Sequence, residues 1–268
     1  MERYLLFCVN MAETHQLTEP GTEKEMPFLD HLEELRWRLL KSIAAVILSA
    51  IGAYFFSDQL LALLVRPYNE ALSALGKDQG QRLIFLSPTG GFMIHIKLSV
   101  FAGILLSLPI IFYQLWQFIA PGLLSKERRY VPLVVLFSTV CFLVGALFCY
   151  TIVLRYGLRF LLSFETVDLA ANISVSEYLQ FVTTLILVFG LIFELPVLSF
   201  FLTRIGLLTP AFMRHYRRHA IVVMVILAAV ITPPDVFTQL LLAGPLVLLY
   251  EMSIWVSRFA LKQRDGES

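Results

Sequence analysis

Charge is scarce in this chain. Asp, Glu, Lys and Arg make up 15% of its 268 residues, against about 25% in soluble domains. Lys and Arg number 21 against 20 Asp and Glu, a net charge of +1. That balance excludes the strongly basic face that phosphate backbones require, so no nucleic-acid partner is expected. Cysteine is nearly absent too: Cys8, Cys141 and Cys149 form no disulfide or metal pattern, and the latter two share one apolar run as packing residues. His95, His215 and His219 lack Cys or carboxylate partners at metal spacing, so no metal is expected. Neither a GxxxxGK[ST] nor a GxGxxG loop occurs, and no Ser–His nucleophile arrangement is recognisable. No cofactor and no covalent chemistry are expected.

What fills the chain instead is apolar. Hydrophobic residues make up 58% of it and aromatics 13%, with mean hydropathy +0.76. Six runs stand out, at roughly 39–57, 93–118, 131–153, 178–203, 219–232 and 237–256. About 20 apolar residues cross a bilayer, so the expected fold is all-α and polytopic, with six transmembrane helices. The last two runs are short and flank Thr232-Pro233-Pro234-Asp235, which predicts a pair of short spans beside locally thinned bilayer. Arg36, Arg38 and Lys41, then Lys126, Arg128 and Arg129, then Arg204, Arg214, Arg217 and Arg218, then Arg258, Lys262 and Arg264 flank alternate ends of the runs. Fewer bases, Arg66, Lys77, Arg82, Arg155 and Arg159, lie in the opposite loops. The bias places both termini in the cytoplasm. Residues 1–26 read as a polar, disordered tail, 27–260 as the membrane domain and 261–268 as a cytoplasmic tail. The apolar run in MERYLLFCVN is too short for a signal peptide, and no transit peptide is visible, so a bacterial inner membrane is expected. The two long outer loops, about 58–92 and 154–177, contain amphipathic pieces expected to lie as surface helices.

The few acids carry the functional question. In FLDHLEELRWRLL, Asp30 and Glu33 resemble a capping box, and Glu34 with Arg38 fits a plain i,i+4 pair. Glu127 stands among Lys126, Arg128 and Arg129, two residues after the N-cap candidate Ser125, where a helix macrodipole favours an acid. Both acids could equally grip a guanidinium in bidentate fashion. Glu194 sits inside the largely apolar run 178–202, where an acid is costly and marks a functional candidate facing protein or water. Pro196 invites a kink beside it. Asp235 is the expected N-cap of the sixth helix, with Gln239 one turn inside, and Glu251 reads as an interfacial structural residue. GILLSLP (103–109) echoes GLIFELP (190–196), with Ser107 opposite Glu194, either as related hairpins or as the chance likeness of Leu-rich helices. One reading these residues leave open is a proton-coupled small-solute transporter using Glu194.

HLEELRWRL, SPTGGFMIHIKLS, YQLWQFIAPGLLSKERR, FELPV and TPPDVFTQ occur in that order. Together they resemble the TatC family, the receptor subunit of the twin-arginine protein translocase, over about residues 27–260. The resemblance implies a receptor for the signal peptides of folded cargo, with Glu34 and Glu127 contacting the paired arginines and Arg36 and Arg38 beside them. It implies that Glu194, Gln239 and Asp235 belong to a concave face where single-span TatA- and TatB-type partners dock, and that Pro88 and Pro121 shape loops. Other copies of the chain and membrane lipid are further implied partners, and the transmembrane proton gradient is the implied driving force.

Overall fold

The structure, a computed structural model, describes residues 28–76, 83–119, 131–164, 173–231 and 236–265. The chain divides between Trp37 and Arg38 into two units. Helix α1, Phe28–Tyr54, begins in the first unit. Because it already starts at Phe28, Asp30 lies in its first turn instead of capping it, a position where an acid complements the macrodipole.

The second unit contains the remaining helices: α2 (Ser57–Ala74), α3 (Gly90–Ile119), α4 (Val131–Phe148), α5 (Leu154–Ser163), α6 (Val175–Ile192), α7 (Leu195–Arg204), α8 (Pro210–His215), α9 (Arg217–Ile231) and α10 (Val236–Asp265). Among the described residues there is no strand. A parallel bridge ties the two long loops, with Ile84 N donating to Ile173 O and Val175 N to Ile84 O, both at 3.0 Å. The amphipathic pieces of the two long loops are helical, as α2 and α5. α5 continues α4 through a π-helical stretch, Cys149–Val153.

Among the described residues five helical stretches are long and apolar enough to cross a membrane: His31–Tyr54, Gly90–Ile119, Val131–Ser163, Val175–Arg204 and Gln239–Lys262. α9, in the expected fifth span, has 15 residues, roughly 22 Å of helix against a hydrocarbon core of about 30 Å. Its partner departs from expectation: α10 is not short but runs 30 residues, continuing through Asp265 into the stretch expected as a tail. Lys, Gln and Arg are good helix formers, so the charged end carries the helix onward.

Proline placement explains much of the internal bonding. Pro67 lies inside α2 and cannot donate to the Leu63 carbonyl one turn back. The Tyr150 hydroxyl supplies that bond at 2.8 Å, and Tyr178 donates to the next carbonyl, Leu64 O, at 2.8 Å. α2 is thereby fastened to the π-helical stretch and to α6. Its buried side packs Leu64, Tyr68 and Leu72 into a core with Ile94, Leu98, Cys149, Val182 and Phe189. A second core joins Leu108, Phe112 and Trp116 of α3 to Val135, Phe142 and Phe201. α7 and α10 pack through small hydroxylated residues: Ser199 Oγ donates to Ser253 O at 3.1 Å, and Thr203 Oγ1 and Ser257 Oγ share a 2.6 Å bond. Small residues at this spacing let helices approach closely in lipid.

Candidate functional site

The acid-bearing start of α1 occupies the first unit. Glu34 and His31 are half-buried there, while Glu33, Leu35, Arg36 and Trp37 are exposed. Arg38 opens the second unit, half-buried, with its carbonyl accepting from Ser42 Oγ at 3.1 Å. Glu127 and Pro121 lie outside the described residues, as does Asp235, so the expected pairing of Glu34 with Glu127 and the capping of helix six rest on sequence alone.

Glu194 sits where the fourth apolar stretch breaks. Pro196 lacks the N–H that would reach Ile192 O, and the helix stops at Ile192 and restarts at Leu195. Across the break Phe193 N donates to Phe189 O at 3.0 Å and Glu194 N to Leu191 O at 3.1 Å. The expected kink is thus a true interruption. Glu194 is 4% exposed and faces inward. Ser138 and Cys141 of α4 stand beside its carboxyl, yet its Oε1 is buried without a hydrogen-bond donor. Trp116 Nε1 donates to Ser138 Oγ at 3.3 Å, and its ring packs on Phe201 of α7 at 4.4 Å. A chain of tryptophan, serine and carboxyl therefore crosses from α3 through α4 to the break.

Two glycines allow that approach. A Cβ on Gly190 would come within 2.4 Å of the Phe142 ring, and one on Gly145 within 2.7 Å of Phe189 O. Only bare backbone lets α4 and α6 cross this closely, which brings Ser138 and Cys141 to the level of Glu194. Sequence inspection singled out Glu194 but missed Ser138 and Trp116. The signal for Ser138 was a polar residue in an apolar run, and Trp116 lay in the YQLWQF motif without an assigned role.

The other sequence candidates do not join this cluster through any described bond. Gln239 is half-buried and its Nε2 donates to Val225 O at 3.4 Å, linking α10 to α9. Pro88 is exposed in the turn before α3, where Gly90 N donates to Ser87 O at 3.0 Å. Glu251 accepts from Arg217 Nε between α10 and α9. That hydrogen bond to a carboxylate holds the Arg217 guanidinium above its usual pKa, and it fits the structural role expected of Glu251. Among the described residues no group of His, Cys, Asp and Glu could hold a metal.

Comparison with known proteins settles the family. The family described as Sec-independent protein translocase protein (TatC) matches residues 30–245. The TatC protein of Desulforapulum autotrophicum is 40% identical over 245 residues, covering 91% of this chain and 89% of its own length. That of Helicobacter pylori strain 26695 is 42% identical over 228 residues, covering 85% and 86%. A solved crystal structure of the twin arginine translocase receptor TatC superposes with a TM-score of 0.76 at 38% identity, covering 86% of this chain and 99% of that one. A run of apolar helices, a broken helix carrying one buried acid, and these likenesses lead to one conclusion: the chain belongs to the TatC family, a non-enzymatic membrane component of twin-arginine protein transport.

Proposed function

We propose that the chain is the signal-peptide receptor of a twin-arginine translocase. The observation that carries this reading is the likeness, over 86% of this chain and 99% of the other, to a solved protein described as the twin arginine translocase receptor. Glu34 and Glu127 take the signal's two arginines at the cytoplasmic face, with Arg36 and Arg38 beside them completing the signal-peptide site. Single-span TatA- and TatB-type subunits then dock along a concave face near Glu194, Gln239 and Asp235, alongside other copies of the chain. Pro88 and Pro121 fix the loops on either side. Six crossings of the inner membrane place both termini in the cytoplasm, and the proton gradient drives export. The buried, donor-free Oε1 of Glu194 supports its part in this scheme, because an incoming helix can complete its hydrogen bonding. The rival reading, a proton-coupled small-solute transporter, needs several deep polar groups. Among the described residues Glu194 is the one buried Asp, Glu, His, Lys or Arg, and the rest of the buried polar set is Ser and Thr.

Binding of a purified twin-Arg signal peptide to the chain in nanodiscs tests the proposal. Glu34→Ala, Glu127→Ala and a Lys-Lys signal are each expected to weaken binding about tenfold or more, since charge-assisted bonds are worth about 1.5–3 kcal/mol. Binding that ignores all three changes would return both acids to helix-end roles and sink the receptor assignment.

A further inference from the structure

The side of the molecule bearing α2 and α5 holds charges that signal-peptide binding leaves unused. Between the two helices lies an open groove of about 710 Å³, lined by Arg66, Asn69, Glu70 and Ser73 of α2 and by Arg155 and Arg159 of α5. Three arginines share one carboxylate there, and it is engaged: Arg66 Nε donates to Glu70 Oε1 at 2.8 Å along the same helix. Arg155 and Arg159 stand one turn apart, a spacing at which like charges repel. Neither pairs with a carboxylate among the described residues. Arg159 Nε is also buried and reaches no acceptor, and a buried donor left unpaired loses its hydration without compensation. An anion in the groove relieves both costs.

The setting identifies the anion. α5 forms the last part of the apolar stretch Val131–Ser163 and anchors itself by burying Leu154, Leu158 and Leu162. Beside the arginines Tyr156 and Phe164 remain 52% and 68% exposed. Exposed aromatics and bases at the end of an apolar helix are the composition of the headgroup zone, where lipid phosphates lie. Arginine's planar fork, unlike a lysine, matches two phosphate oxygens at once. These arginines also lie on the side where the bias of bases expects few, so orientation does not explain them. We propose that Arg155 and Arg159, with the Asn69 amide beside them, hold the phosphodiester of an anionic phospholipid in the groove between α2 and α5.

Native mass spectrometry of the full chain, released from nanodiscs of mixed phosphatidylglycerol and phosphatidylcholine, tests this. Wild type is expected to retain phosphatidylglycerol preferentially, and Arg155→Gln/Arg159→Gln to lose that preference roughly tenfold. Lys262→Gln, which removes one charge at the exposed end of α10 as Arg155→Gln alone does in the groove, is expected to keep it. Arg155 is exposed, so Arg155→Gln alone keeps the test readable should the double variant fail to fold; a partial loss is expected. Unchanged retention in the arginine variants overturns the proposal. So does glycerol 3-phosphate in detergent binding as well as the lipid, which would make the groove a soluble-anion site.

Discussion

At the scale of single residues, position decides whether a glycine is needed. Gly190 and Gly244 are both helical, but a Cβ on Gly190 would meet the Phe142 ring at 2.4 Å while one on Gly244 would meet nothing within 4 Å. Gly190→Ala is therefore expected to destabilise by about 1–3 kcal/mol through overpacking. Gly244→Ala is expected to stabilise by up to about 1 kcal/mol through helix propensity. Thermal unfolding of both variants in one detergent gives the comparison, and equal midpoints would mean that α4 and α6 do not cross as described. The residue scale is also where the sequence was most legible for the acids and least for their neighbours. A lone Glu194 in an apolar run announces itself by its cost. Ser138 and Trp116 belong to other helices, and no periodicity within a helix records which partner faces it across the core.

At the scale of elements, α2 holds its place through a deficit. Pro67 leaves the Leu63 carbonyl without its helical donor, and Tyr150 fills the gap from another helix. Tyr150→Phe is expected to cost about 1 kcal/mol, the net worth of one hydrogen bond. Pro67→Ala should offset part of that loss, because the restored N–H competes for the same carbonyl. A double-mutant cycle by denaturant or heat unfolding would show non-additivity; strict additivity would mean that the two residues do not share the carbonyl. Pro67 and the amphipathic helix around it were visible in the sequence, as was the kink at Pro196. The length of α10 was not, because Lys262 and Arg264 read as a tail once the apolar run ended. Charged residues with high helix propensity need no burial to prolong a helix that is already nucleated.

At the scale of the whole molecule the open quantity is the number of crossings. Among the described residues five stretches pass on length and composition, and α9, at 15 residues, stands apart. Odd and even counts differ in where the C-terminal end lies. If α9 crosses thinned bilayer, Arg36 and Lys262 share a side; if it does not, they lie on opposite sides. Single cysteines at Arg36, Ser87 and Lys262 in a Cys-less background, labelled with an impermeant maleimide, distinguish these cases. Labelling of Ser87→Cys alone from outside is expected, and labelling of Lys262→Cys from outside would reduce the count to five. The family and its helical character were legible from motif order and hydropathy. The bridge between Ile84 and Ser174 was not, since two backbone bonds between distant loops leave no pattern in either. The π-helical stretch at Cys149–Val153 has a consequence of another kind. One surplus residue in a helix turns everything beyond it by about 100°, so α4 and α5 keep separate angular phases along one continuous rod. A single-codon deletion there would leave α4 in place but rotate Arg155 and Arg159 out of the groove, making this stretch the gear that lets the two ends of the rod evolve their faces independently.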